Sequence, residues 1–332
     1  MHKLIVGVLF CVAILTSTLT AQQVPKDVEI VAPANSPAWK AENSAELQKI
    51  IGEVVGELVA STAAASKPFK PEEVAVTLID LRDPQHIRWA NVRGEEAIYP
   101  ASVVKMFYMA ALHQQLQDGK VKLTPELQRG LKDMIVDSSN EATQYILDVL
   151  TDTASGAEMP QPEFEKWQYK RNRVNRYFGS MGYKGININQ KTFCEDAYGI
   201  EQQSRAYKGQ NRNMLTTNAT ARLLAEIALG RSVNADRSRQ MMDLMKRDPF
   251  AESKDPDSQS VGFSGKALIT RKMIDAKLWS KAGWTSRTRH DAAYIETADG
   301  GKFVLAIFTE GHANENEHIG TVVGKVIDRL KK

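Results

Sequence analysis

A serine precedes a lysine by three positions in the segment YPASVVKMF, residues 99–107. If a helix begins here, Lys105 lies one turn after Ser102, and its amine can approach the serine hydroxyl. A serine hydroxyl becomes an effective nucleophile when a neighbouring base takes its proton. A lysine can be that base if burial or nearby positive charge keeps it neutral for part of the time. Serine is also favoured at helix starts, so this pair alone leaves a structural interpretation open.

A second polar group, Ser138-Ser139-Asn140, follows a predicted helix over residues 125–136. Ser138 could relay a proton to a leaving nitrogen. The Asn140 amide could orient a substrate amide because it both donates and accepts hydrogen bonds. The same residues also suit a polar turn that caps the next helix, so both interpretations stay open for this group alone.

The third group, KAGW at residues 281–284, lies on a predicted edge strand. Gly283 would let another backbone approach closely. The backbone amide of Trp284 could then point at an oxyanion together with that of Ser102. Lys281 would add positive charge near a substrate carboxylate. A solvated lysine on an ordinary strand is the alternative.

Hydrophobic spacing predicts the elements that hold these residues. A helix over 44–61 and strands over 74–81 and 86–92 precede the serine, and strands with a last helix follow residue 276. Strands from both ends of the chain can join one sheet. We therefore expect an α/β fold of the α+β sandwich type, with an antiparallel sheet built from the N- and C-terminal segments, flanked by helices, and an all-helical lobe inserted between them. The helices predicted in the middle cover 102–118, 125–136, 141–150, 173–181, 217–229 and 238–247.

This arrangement predicts one catalytic domain over residues 44–332. Its sheet lobe would comprise 44–101 and 260–332, and its helical lobe 102–259. Residues 151–172 are polar and contain two prolines, which is typical of an insertion. Residues 186–214 show no clean period and are predicted to be a long loop, and such loops in compact domains are usually functional or mobile.

The N-terminus has the pattern of a secretory signal, with Lys3 before an apolar run over 4–15 and small residues up to Ala21. An uncleaved anchor is the alternative, although the run is short for a membrane span. Residues 22–43 resemble a loose leader or linker. We expect cleavage after Ala21 and a secreted or periplasmic protein. Cys194 would then be the only cysteine, inert and partly buried.

The composition excludes several function classes. A formal net charge of +3 without a long basic run gives no reason to expect a nucleic-acid partner. The six histidines show no spacing typical of a zinc site, so we expect no metal and no cofactor. His290 and Asp291 are adjacent on a predicted strand and point to opposite faces, which argues against a catalytic dyad. We expect a monomer.

The three groups together occur in the order of the S-x-x-K, S-D-N and K-T-G motifs. Over roughly residues 45–332 the chain resembles the class A β-lactamase-like serine hydrolases of the β-lactamase and penicillin-binding protein superfamily. The resemblance implies that Ser102 is acylated and Lys105 activates it. It implies further catalytic roles for Ser138 and Lys281. Substrate binding is implied for Asn140, Gly283, Trp284 and Arg289, with Arg287 as the alternative to Arg289 for a substrate carboxylate.

Three features depart from the family pattern. Ser139 replaces the usual aspartate, which changes a hydrogen-bond anchor of the turn. Ala282 replaces the usual Thr or Ser, which removes a hydroxyl that helps to bind a carboxylate. Only 36 positions separate Ser102 from Ser138, so we expect a reduced helical lobe and a more open site.

In class A enzymes a glutamate of the long loop activates the water that removes the acyl group. Glu195 is the candidate here and Glu201 the alternative, although neither has the Glu-x-x-Leu-Asn context. The sequence thus predicts an exported serine hydrolase that opens β-lactams and releases the acid. A D-alanyl-D-alanine carboxypeptidase or transpeptidase with slow deacylation, acting on peptidoglycan peptides, is one alternative. A non-catalytic binding domain of the same fold is the other.

Overall fold

One mixed sheet of seven strands lies at the centre of the part of the chain that the computed structural model describes, residues 29–33, 38–193, 196–253 and 255–330. The spatial order is β1-β3-β2-β7-β6-β5-β4. All neighbours are antiparallel except β1 and β3, so the prediction of an antiparallel sheet needs correction at that one edge. The strands are β1 (Glu42–Asn43), β2 (Val74–Asp80), β3 (Arg88–Val92), β4 (Lys246–Arg247), β5 (Lys277–Trp284), β6 (Thr288–Glu296) and β7 (Lys302–Glu310).

Helices cover both faces of this sheet. The bounds are α1 (Ala45–Thr62), α2 (Lys105–Gln117), α3 (Pro125–Lys132), α4 (Asn140–Thr151), α5 (Gln161–Arg171), α6 (Arg173–Ser180), α7 (Ile200–Ala206), α8 (Thr217–Ala228), α9 (Ala235–Met245), α10 (Gly265–Thr270) and α11 (His318–Leu330). Helices α1, α10 and α11 share one apolar core with the sheet, and α2 to α4, α6, α8 and α9 share the other. The predicted α/β fold is confirmed, but the inserted segment 102–259 is not all-helical, because β4 lies within it and pairs with β5. Among the described helices, none has the length and apolar character to cross a bilayer.

The middle strands of the sheet are almost continuously apolar because they are covered on both faces. Every residue of β2 is buried, and β6 and β7 are buried except at their ends. Strands covered on both faces need apolar side chains at successive positions, which is why VAVTLI and FVLAIF show no polar alternation. These strands form the buried centre of the sheet, and β5 pairs with β6 at one side of it.

The structure differs from the prediction along the segment called a leader, of which residues 29–33 and 38–43 are described. Ile30 is 5% exposed within the core, and Glu29 pairs with Arg176 of α6. Residues 42–43 form β1. Here the chain is packed against the body rather than loose. The predicted signal segment 1–21 and Cys194 lie outside the described residues.

A helix also occupies the segment predicted to be an insertion. Helix α5 buries Phe164, Trp167 and Arg171, while most of its other side chains are polar. Its apolar positions are too few to produce an amphipathic signal. Arg171 connects this helix to α7, which lies within the predicted long loop.

This connection is a buried ion cluster. The Arg171 guanidinium, fully buried, donates to both oxygens of Glu201 at 2.6 and 2.8 Å. Lys191 lies 3.4 Å from Glu201 and 2.6 Å from Asp148 of α4. Charges buried at this depth are tolerated because they pair with one another.

We expect Arg171→Ala to lower the free energy of unfolding by about 3–5 kcal/mol, because it leaves the Glu201 carboxylate buried with its main partner removed. Urea unfolding followed by circular dichroism measures this change. Arg239→Ala is the matched control, since Arg239 pairs with Asp236 on the exposed face of α9 and its loss should barely move the unfolding midpoint. Equal effects of the two substitutions would contradict a stabilising role for the cluster.

Candidate active site

Ser102 lies in a short 3-10 turn, Ala101–Val104, that leads directly into α2. The residue before it, Ala101, has φ of +47°, a left-handed conformation that side chains with a Cβ rarely adopt. Such strain persists only where the surrounding structure enforces it, and it is common at active sites. Ser102 itself is partly exposed and lines a cavity.

Strand β5 runs against this turn, and Gly283 makes the approach possible. A Cβ atom at Gly283 would lie 2.7 Å from the Pro100 carbonyl oxygen and 3.0 Å from the Ser102 nitrogen. Only glycine fits there without a backbone shift. The Ser102 amide therefore lies beside the end of β5, where Trp284 lines the same cavity.

His290 holds the other side of the turn. Its Nε2 lies 2.9 Å from the Tyr99 carbonyl oxygen, and its Nδ1 accepts from the Thr309 amide at 3.0 Å. Burial lowers the pKa of His290 to about 4, so the ring is neutral at physiological pH. Asp291 instead accepts from the Ser264 amide at 3.1 Å. His290 is thus a structural support of the nucleophile turn, and it does not pair with Asp291.

Lys105 is fully buried and bridges α2 to the turn that contains Ser138. Its ammonium lies 2.8 Å from Asn140 Oδ1 and 3.3 Å from Ser138 Oγ. It also donates to the carbonyl oxygens of Ser138 and Ser139. The first two sequence groups therefore meet through this lysine.

A π-helical turn, Asp133–Asp137, extends α3 and aims Ser138 inward. Ser138 ends that turn with φ of +59°. Ser139, which replaces the usual aspartate, caps α4 by accepting from the Ala142 amide at 3.1 Å. The predicted helix over 125–136 thus changes its hydrogen-bonding pattern after Lys132, and Ser139 serves as the N-cap of the next helix.

Lys281 completes the cluster from β5. Its buried ammonium donates to Ser138 Oγ at 3.0 Å, to Gln259 Oε1 at 2.6 Å and to its neighbour's carbonyl oxygen, that of Ala282, at 2.9 Å. Burial, together with the charges of Lys105 and Arg247, lowers the pKa of Lys281 well below its usual value. The Ser138 hydroxyl therefore lies between two lysines, which is a suitable position for a proton relay.

A cavity of about 420 Å³ opens over this cluster. Its described lining joins two predicted site serines to a segment between β4 and α10, where no sequence motif indicated a function. The lining residues are Ser102, Val136, Asp137, Ser138, Asp255, Asp257, Ser258, Gln259, Phe263, Ala282 and Trp284.

Arg289, predicted to bind a substrate carboxylate, is 1% exposed and lies behind the cavity wall. Its guanidinium donates to Asp257 Oδ1 at 2.8 Å and to the Gly262 carbonyl oxygen at 2.7 Å, and it stacks over Phe263. The alternative, Arg287, is exposed in the turn after β5 and is not among the residues that line the cavity. Neither arginine reaches the cavity in this structure.

The long loop is fixed against the site helices just before Glu195. Tyr108 of α2 donates to the Gln190 carbonyl oxygen at 2.8 Å, and Gln144 of α4 donates to that of Thr192 at 2.9 Å. Glu195 itself lies outside the described residues, so its predicted role stays a prediction.

Glu201, the alternative base, belongs to the buried ion cluster and is 1% exposed. Burial alone would raise its pKa, but the hydrogen bonds and charge of Arg171, with the charge of Lys191, hold that pKa below its usual value. Both carboxylate oxygens are bound by the protein, and Glu201 does not line the cavity. No group of three or more His, Cys, Asp or Glu side chains within the described ranges is arranged to hold a metal ion.

The fold is shared with solved structures of β-lactamases and a penicillin-binding protein. A structure of PBP-A aligns with a TM-score of 0.60 at 16% identity, over 89% of this chain and 99% of that one. The TLA-1 extended-spectrum β-lactamase aligns with a TM-score of 0.61 at 15% identity, over 86% and 100%. A β-lactamase from Sphaerobacter thermophilus gives 0.57 at 17%, over 84% and 95%. At these identities the similarity establishes the fold alone.

Sequence comparison adds the family. A search of the curated proteins finds no significant match to this chain. A family model described as the β-lactamase enzyme family matches residues 124–330, a span that includes Ser138, Asn140 and Lys281 and begins after Ser102. Because that match covers more than half of the chain, the protein belongs to the β-lactamase enzyme family.

Proposed function

We propose that this protein is an acyl-serine hydrolase in which Ser102 attacks the amide of a β-lactam. The observation that carries the proposal is the shared cavity. Ser102 and Ser138 line it together, and the ammonium groups of Lys105 and Lys281 both lie within 3.3 Å of the Ser138 hydroxyl. The proposed proton path runs from Ser102 through Lys105 and Ser138 to a leaving nitrogen.

In the acylation step, Ser102 Oγ forms a bond to the lactam carbonyl carbon and the ring C–N bond breaks. Lys105, in its neutral amine form, takes the serine proton. Ser138 passes its hydroxyl proton to the departing ring nitrogen and regains one from Lys105, 3.3 Å away, so that protons and charge balance. The backbone amides of Ser102 and Trp284 are the proposed donors to the carbonyl oxygen as it becomes negative. Gly283 supports this role because it keeps the Ser102 amide next to β5.

In the hydrolytic step, water adds to the acyl carbon, Ser102 Oγ leaves with a proton, and a carboxylic acid is released. We assign the water-activating base to Glu195. The support is positional, since residues 190 and 192 are bound to α2 and α4, the helices that begin at Lys105 and Asn140. The same loop therefore continues from the neighbourhood of the site.

A penicillin-binding peptidase with slow deacylation is the second candidate. It is favoured by one observation, the binding of both Glu201 oxygens within the ion cluster. Glu201 does not line the cavity. If Glu195 is not the base either, the described part of the loop offers no other glutamate to activate water. An acyl-enzyme would then persist.

Export is part of the proposal. The first 21 residues have the charge, apolar run and small-residue ending of a cleaved signal. A secreted or periplasmic location would place the site where β-lactams and peptidoglycan peptides are met.

We expect a penicillin or a fluorophosphonate to add covalently to wild-type protein and not to Ser102→Ala, because the adduct requires the Ser102 oxygen. Intact mass and peptide mapping measure this. Circular dichroism of the variant controls for folding. Labelling of another residue would contradict the assignment, and absence of any labelling of the wild type would favour the non-catalytic alternative.

Glu195→Gln should acylate normally but deacylate about 10²-fold more slowly or worse, since the amide cannot take a proton from water. The adduct mass followed over time after mixing with penicillin tests this. Glu201→Gln is the matched control, and we expect it to lower stability while leaving the deacylation rate near that of wild type. Rapid turnover by Glu195→Gln would exclude Glu195, and a persistent wild-type adduct would favour the peptidase alternative.

Residues 1–332 expressed in a bacterial host should yield a mature protein that begins at residue 22 and is recovered outside the cytoplasm. Intact mass and N-terminal sequencing of the fractions measure this. Exchanging the apolar residues 5 and 6 for aspartates is the control, because a charged apolar run should block processing. An unprocessed chain in the membrane fraction would indicate the anchor alternative.

A further inference from the structure

Gln259 occupies the space between β5 and the turn that precedes Ser138. Its Oε1 accepts from the Lys281 ammonium at 2.6 Å and from the Ala282 amide at 3.1 Å. Its Nε2 donates to the carbonyl oxygens of Ile135 and Val136, at 3.2 and 2.8 Å. The Gln259 amide thus makes four hydrogen bonds, which join β5 to the turn at residues 135–136.

This bridge completes the hydrogen bonding of Lys281. A lysine ammonium has three N–H donors. Here three protein oxygens lie within 3.0 Å of it, those of Ser138 Oγ, Gln259 Oε1 and the Ala282 carbonyl. No donor of Lys281 remains for a substrate carboxylate while Gln259 stays in place. The Ala282 amide, a further donor beside it, is taken by the same glutamine oxygen.

The other groups around the cavity offer no replacement cation within the described residues. Arg289 is bound behind the wall by Asp257 and the Gly262 carbonyl. Three aspartates, residues 137, 255 and 257, are part of the lining. Position 282 is an alanine, so no hydroxyl is available there to help.

We propose that Gln259 is a specificity-determining residue, and that the site prefers acyl donors that carry no negative charge at the position of the Gln259 amide. The inference rests on the proposed acylation of Ser102. The Gln259 amide oxygen accepts the hydrogen bonds of Lys281 and Ala282 that a substrate carboxylate would otherwise accept. A carboxylate must displace Gln259 and approach the lining aspartates, whereas an ester or another neutral group need not.

The test uses two substrates that differ only in this charge, a penicillin and its methyl ester. The second-order rate constant for acylation of Ser102 is measured for each by mass spectrometry. Wild type should react with the ester at least as fast as with the acid. Gln259→Ala should raise the acid-to-ester ratio about tenfold or more, because it frees donors of Lys281 and Ala282. Gln259→Glu should lower that ratio, since it places a like charge there.

Gln240→Ala is the matched control, a glutamine removed from the exposed face of α9, and it should leave the ratio unchanged. A purely structural role for Gln259 would slow both substrates equally and would overturn the proposal. So would a faster reaction of the wild type with the acid than with the ester. A neutral fluorophosphonate tests separately whether Ser102 is reactive. If it labels Ser102, the results above bear on the role of Gln259 alone. If no probe labels Ser102, the proposed function and the role of Gln259 are both wrong.

Discussion

Two buried lysines share one serine hydroxyl, and the geometry of the site depends on this contact. Lys105 and Lys281 approach Ser138 Oγ from α2 and β5, at 3.3 and 3.0 Å. Two like charges removed from water raise each other's cost of ionisation. Their neighbours are therefore oxygen atoms, which compensate for the lost water. The chain must bring a helix start, a π-helical turn and a strand to one point to supply them.

That convergence explains the unusual backbone around it. Ala101 and Ser138 both have positive φ although neither is glycine, and each lies next to or within the cluster. Gly283 removes the side chain that would otherwise separate β5 from the Ser102 turn. His290 of β6 binds the Tyr99 carbonyl oxygen two residues before Ala101, and Lys281 of β5 donates to Ser138. The surrounding structure thus enforces strained backbone positions that place a few polar atoms in the site.

The sequence predicted what chemistry and periodicity dictate. Ser102, Lys105, Ser138 and Lys281 were predicted to share a site from their residue types and order, and the structure brings Ser102 and Ser138 to one cavity and both lysines to Ser138. The central strands could be predicted because they are continuously apolar. Helix α5 could not be predicted, since it buries an arginine and two aromatic rings among polar residues and shows no apolar stripe.

Gln259 could not be predicted either, for a different reason. Its partners include three main-chain groups, which every residue has, and nothing local distinguishes it from other glutamines. Arg289 has the residue type that the family resemblance requires, but burial against Asp257 changes what it can reach. Residue type can be read from a sequence, whereas access to solvent is decided by the whole fold.

The packed N-terminal segment has a consequence for how the domain is delimited in the laboratory. Ile30 lies in the same apolar core as α2, Glu29 pairs with Arg176, and β1 extends the sheet beside β3. A recombinant fragment that starts at residue 44, where the first long helix begins, would lack these residues and expose the apolar core surface that Ile30 covers. Soluble expression calls for a start upstream of residue 29, so the useful boundary of the domain lies before its first helix.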